Sequence, residues 1–189
     1  MSQIVWMDTE TTGLEPTKCG IIELAAVIQY PGRNKPADYY SEEMNPGAVE
    51  ISEYALKVNQ ISEEKISAAA PIDQALRLFD GLIEDRAVIA GWNVSGFDIP
   101  FLKTAYERAG IKWRFHHHCL DMMVVANWLK FVGAIHPKSL SLQNMAKYLG
   151  IDAQAFGPAH RAMPDVYTTL AIAKRFKEEH FNIQRKVGF

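Results

Sequence analysis

Apolar positions come first in short runs and later at helical spacing. Ile4 to Met7 is an unbroken apolar run that reads as a buried strand. Ile21 to Ile28 is a second run, ending at Tyr30-Pro31-Gly32. Asp38 to Met44 is a third, stopped by Asn45-Pro46-Gly47. The connections are too short for crossover helices, so the three predict an antiparallel meander. Ser52 to Gln60 reads as a short helix capped by Ser52, and Ser62 opens a polar turn. From Pro71 to Glu84, the positions of Ile72, Ala75, Leu76, Phe79 and Ile83 make one stripe, which predicts an amphipathic crossover helix. Ala87 to Ala90, ending at Gly91, reads as a buried parallel strand. Further helices are predicted from the Asp98 cap position, with Pro100 in the first turn, to Gly110, from Met122 to Leu129, and from Ser139 or Ser141 to Gly150. The last opens at Pro164 and buries Val166, Leu170, Ile172, Ala173 and Phe176. A meander followed by crossovers is an α/β arrangement.

Acids interrupt this pattern at a few places. Asp8 and Glu10 stand two apart at the end of the first strand, so both project from one face. Two carboxylates that close raise each other's pKa unless a cation sits between them. The pair therefore points to a hard divalent metal, Mg²⁺ or Mn²⁺, against the plainer alternative of a solvated turn. Thr11, Thr12 and Gly13 read as a tight turn that brings backbone donors toward a ligand. Glu23 interrupts the second run and needs a partner; the sheet rim is favoured over the metal site. Asp98 follows the turn from Gly91 to Phe97 and is either a helix cap or a third metal carboxylate at a strand's carboxyl end. Asp165 lies in the first turn of the last helix, where an acid suits the dipole. His160, five positions earlier on a Gly/Pro loop, is the better histidine candidate. His116, His117 and His118 would alternate faces in a strand and cannot all hold one ion, so they read as ordinary residues.

Composition narrows the class. The 189 residues suit one domain spanning 1–189 with a sizeable core. A formal charge of −2 argues against a basic, sequence-reading DNA binder, but not against an enzyme that grips a nucleic-acid end locally. Cys19 and Cys119 read as free thiols in a reducing compartment. The N-terminus lacks the basic start and unbroken apolar core of a secretory signal, and no apolar run is long enough for a membrane. A cytoplasmic location is expected, with no membrane association.

The joint pattern is more specific than its parts. Asp8-x-Glu10-Thr11-Thr12-Gly13-Leu14, then Asn93-x-x-x-Phe97-Asp98-x-x-Phe101-Leu102, then His160-x-x-x-x-Asp165 occur in that order. The chain resembles the DEDDh branch of the DnaQ-like 3′–5′ exonucleases, the superfamily of proofreading exonuclease subunits, ribonuclease T and oligoribonuclease. The likeness runs from Ile4 to about Phe176 and takes in residues 21–24, 50–59 and 139–150. Arg161 occupies the position where a tyrosine-type member carries its tyrosine, which places the chain in the histidine branch.

The resemblance implies a ribonuclease H-like fold, a five-stranded mixed sheet with strands 1–3 antiparallel and strands 4–5 parallel, flanked by helices. It implies two Mg²⁺ or Mn²⁺ ions held by Asp8, Glu10, Asp98 and Asp165. His160 would be the general base for hydrolysis at a single-stranded DNA or RNA 3′ end, releasing nucleoside 5′-monophosphates. Thr11, Thr12, Leu14, Trp92, Asn93, Phe97 and Phe101 are the substrate-contact candidates, with Leu14 as a wedge against the terminal base. Many relatives carry His-Asn where this chain has Trp92-Asn93, which leaves substrate preference open. Alternatives are an oligoribonuclease-like enzyme on short RNA and a non-catalytic polymerase-associated binding module. A homodimer and a DNA polymerase are candidate partners. The chain ends soon after its last helix, at Gly188-Phe189, without a long polar tail for docking.

Overall fold

The computed structural model of the chain describes residues 2–33 and 37–181; the chain end at Gly188-Phe189 lies outside them. Three strands open it: β1 (Ile4–Thr11), β2 (Ile21–Gln29) and β3 (Asp38–Asn45). They pair antiparallel, with Val5 opposite Ile28 and Glu10 opposite Glu23. Helices α1 (Glu53–Asn59) and α2 (Glu63–Ala68) follow, capped by the Ser52 and Ser62 hydroxyls. Strand β4 (Ala70–Pro71) is a two-residue bridge parallel to β3, and α3 (Ile72–Asp80) leads to β5 (Val88–Gly91), parallel to β1. Helix α4 (Asp98–Arg108) then crosses to β6 (Leu120–Asp121). Helices α5 (Met122–Phe131), α6 (Leu142–Tyr148) and α7 (Ala162–His180) follow, with a 3₁₀ turn at Ala153–Phe156.

The sheet order is β4-β3-β2-β1-β5-β6, so the mixed α/β architecture is as expected, with six strands among the described residues rather than five. The extra strand lies where Pro71 was expected to open a helix. Pro71 has an extended ψ of 138°, and with no N–H it can end a bridge and hand over to a helix at Ile72. That helix stops at Asp80 rather than Glu84: past the Gly81 cap, Leu82 and Ile83 donate to the i−3 carbonyls of Phe79 and Asp80, and the Glu84 N–H goes to the Gln3 side chain. The polar turn expected at Ser62 is the short helix α2. No helix among the described residues is long and apolar enough to cross a membrane.

Strand periodicity divides the core in two. Val5 and Met7 face α3 and α4, where Phe79 is fully buried against Tyr40 and Phe115. Trp6 faces the other way, toward a layer from α5, α6 and α7 with Met122, Met145 and Phe176. Gly91 permits the close approach of β5 to β1, since a Cβ there would stand 2.7 Å from the Met7 carbonyl oxygen.

Asp121 organises the connection from β5 to α4. Its buried carboxylate accepts the backbone N–H of Asn93, Ser95 and Met123, and the Ser95 hydroxyl at 2.6 Å. It thus caps α5 and holds the loop that delivers Asp98. Asp121→Ala strands these donors and is expected to lower unfolding stability by about 2–4 kcal/mol. A urea melt would show a lower midpoint at unchanged slope; an unchanged midpoint would mean that the loop holds without this carboxylate.

Candidate active site

Asp8 and Glu10 share the face of β1 that carries Trp6, toward the N-terminal turn of α7. A bulge between Glu10 and Thr11 shifts the register just beyond them, and bulges next to active sites serve to re-aim side chains. Asp165 comes from the first turn of α7. Carboxylate oxygens of Asp8, Glu10 and Asp165 all lie within 4.8 Å of one another.

Asp98 reaches the same cleft from the opposite layer. It does not cap α4: Phe97 occupies the cap position, with no side-chain cap bond. Instead one Asp98 oxygen accepts the Thr9 backbone N–H at 2.8 Å and the Thr9 hydroxyl at 2.7 Å. Thr9 lies between Asp8 and Glu10, so this contact ties α4 to the strand end that carries both acids. Asp98 lines the cleft beside the group formed by Asp8, Glu10 and Asp165. Gln143 on α6 donates to Asp165 at 3.2 Å.

The crowding is visible in the protonation energetics. Burial, followed by the charges of Asp98, Glu10 and Asp165, holds the Asp8 carboxyl well above the usual carboxylate range. Burial, then Asp165 and Glu23, pushes Glu10 up to about 8, against a downward pull from Arg161. Burial also raises Asp98 to about 7 although the Thr9 hydrogen bonds favour its charged form. Burial raises Asp165, moderated by His160 and Gln143. Such a site is relieved by a cation, and the oxygen-only donor set fits a hard divalent ion.

His160 lines the cleft on an exposed loop, in a left-handed backbone conformation at φ 60°. The cleft has a volume of about 540 Å³ and also takes in Thr11, Leu14, Trp92, Asn93 and Phe97. Leu14 is 82% exposed at its rim. Trp92 is largely buried, its indole N–H bound to the Leu140 carbonyl.

Three sequence expectations are corrected. Thr12 is fully buried and does not reach the cleft; its hydroxyl donates to the Glu50 carbonyl and accepts from Gly20 N–H. Phe101 lies in the core under Phe97, with ring centroids 5.0 Å apart, because it sits on the sheet-facing side of α4. Glu23 is not at an exposed rim but buried, because Arg161 neutralises it.

The cleft wall contributed by α1 was missed. Ile51, Tyr54, Ala55 and Val58 line it, and Tyr54 is 74% exposed. Their helical spacing was a usable signal, but such a stripe ordinarily means core.

The exonuclease family model matches residues 5–173 of the chain. A DNA polymerase III PolC-type protein of Pediococcus pentosaceus is 31% identical over 185 residues, which is 95% of this chain and 12% of the relative. The PolC-type protein of Thermotoga maritima is 29% identical over 187 residues, 97% of this chain and again 12% of the relative. The chain therefore spans a small part of the length of these relatives. A crystal structure of E. coli exonuclease I in complex with a dT13 oligonucleotide superposes with a TM-score of 0.81 at 21% identity, covering 95% of this chain and 42% of that one.

The raised carboxyl groups make a pH prediction. A carboxyl with a folded pKa above its unfolded value of about 4 stabilises the fold at low pH and loses that contribution as pH rises through the folded pKa. With Asp98 at about 7 and Glu10 at about 8, the metal-free protein should lose stability progressively from weakly acidic pH up to that range. A divalent cation competes with these protons, so added Mn²⁺ should raise the melting temperature more at about pH 8 than at about pH 6. Equal shifts at both values would uncouple the metal from these carboxyl groups.

Proposed function

This chain belongs to the exonuclease family, and from that premise we propose that it is a 3′–5′ exonuclease of the DEDDh type acting on single-stranded DNA. The observation that carries the reading is the convergence of Asp8, Glu10 and Asp165 within 4.8 Å, on a cleft that also holds Asp98 and His160. Single-stranded DNA is chosen because the fold is shared with exonuclease I bound to dT13.

Asp8, Glu10, Asp98 and Asp165 would hold two Mg²⁺ or Mn²⁺ ions. Bound there, the ions would supply a water of lowered pKa and offset charge on the phosphate and the departing 3′ oxygen. The protein's own groups do the rest. Thr9 orients Asp98 through two hydrogen bonds, and Gln143 orients Asp165 through one. His160 accepts the proton of the attacking water and, being exposed, passes it to solvent. Leu14 and Tyr54 offer apolar surface to the bases, which suits an end held by stacking rather than by sequence readout. The phosphodiester bond breaks on its 3′-oxygen side, and the product is a nucleoside 5′-monophosphate.

A 5′-labelled single-stranded DNA should give a ladder shortened from its 3′ end with Mg²⁺ or Mn²⁺, and none with chelator. No degradation of DNA or RNA with either metal would overturn the reading and leave a binding module. Faster cleavage of a dinucleotide RNA than of longer DNA would favour the oligoribonuclease-like alternative. His160→Ala should lower kcat by about 10²–10⁴-fold in a folded protein, the usual range for a lost general base. Asp165→Ala should abolish activity and weaken Mn²⁺ binding.

A further inference from the structure

Glu10, Glu23 and Glu43 stand directly opposite one another across β1, β2 and β3. Directly paired residues project to the same face, so the three carboxylates form a row beneath the start of α7. Like charges in such a row repel unless something lies across them. Arg161 does. Its Nε donates to Glu23 at 2.8 Å and its Nη2 donates to Glu23 at 3.2 Å and to Glu43 at 2.8 Å. The two-pronged contact to Glu23 fixes the guanidinium in orientation as well as position. Only the third carboxylate of the row, Glu10, is left for the cluster with Asp8 and Asp165.

Arg161 is also the cap residue of α7 and the immediate neighbour of His160. His160 has a backbone conformation that residues with a Cβ rarely adopt. Among the described residues, no hydrogen bond to its ring holds it in place. At one point in the exposed loop before it the chain approaches the helix closely: Gly157, at φ 133°, leaves no room for a Cβ against Pro164. The histidine is thus located by its own backbone, which the Asp165 carboxylate engages, and by its flank, where Arg161 is tied to the sheet.

We propose that Arg161 is a positioning residue, which through Glu23 and Glu43 sets the backbone of His160 so that its imidazole works in the cleft. The inference rests on His160 being the general base. The residue acts through His160 and touches neither water nor phosphate. Lysine could not replace it fully, since a single ammonium cannot make the forked contact.

The test is a double-mutant cycle on the full chain, with a single-stranded DNA oligonucleotide and Mn²⁺. Arg161→Ala should lower kcat by about 10–100-fold, the scale of a misplaced catalytic group, with KM changed by less than about threefold. Arg161→Lys should fall between it and the parent. In a His160→Ala background the same Arg161→Ala change should have less than about a threefold effect, because the group it positions is gone. Arg161→Lys keeps the positive charge that acts on Glu10, so in that variant Mn²⁺ affinity, measured calorimetrically, should be unchanged. An equal loss of kcat with and without His160, or a weakened Mn²⁺ affinity in Arg161→Lys, would overturn the proposal and place the arginine's effect on the carboxylates. If His160→Ala alone kept the parental rate, the general-base reading would fail and the proposal with it. Should Arg161→Ala not fold, Glu43→Gln removes one of the two anchors, and the same cycle should give a smaller loss that likewise vanishes without His160.

Discussion

Packing several carboxylates into one small space is unfavourable, and the rest of the molecule is arranged around holding them there. Asp8, Glu10, Asp98 and Asp165 come from β1, α4 and α7, and Asp98 lies 90 positions from Asp8 in the chain. Each has a carboxyl pKa raised by burial first, and for Asp8 and Glu10 the other acids add to the shift. The fold therefore stores electrostatic strain that a divalent cation would release. This is the usual trade at a binding site, where local stability is given up for a preorganised ligand set.

The two layers of the fold meet this demand differently. On the α4 side, Asp98 is anchored by two donors from Thr9, and Asp121 fixes the loop behind it by accepting three hydrogen bonds from Asn93 and Ser95. On the α7 side, Arg161 takes up the charge of Glu23 and Glu43. Without that arginine Glu23 would lose its ion pair beside the cluster, and Glu43 would be left with Lys65 at 3.9 Å. One layer thus provides orientation and the other compensation, and Asp8 and Glu10 lie between them.

The cleft follows from the same geometry. The strand end and the His160 loop line it, and so do α1, through Tyr54, and the exposed Leu14. Exposed apolar side chains beside a polar centre are a common arrangement for a ligand that has both charged and flat apolar parts. A nucleic-acid end has both.

Much of this was legible in the chain. Alternation in β1 is enough to place Asp8 and Glu10 on one face, and Ser52 and Ser141 announce helices that begin where expected. These are local properties, decided by residues within a turn or a strand of one another. Whether Asp98 caps its helix or turns to Thr9, whether Glu23 is exposed or buried under Arg161, and whether Thr12 and Phe101 face the cleft or the core depend on partners tens of residues away. Periodicity specifies which residues share a face but not what that face meets. For Glu23 the answer came from a side chain 138 positions later, and only packing β2 against the start of α7 could bring the two together.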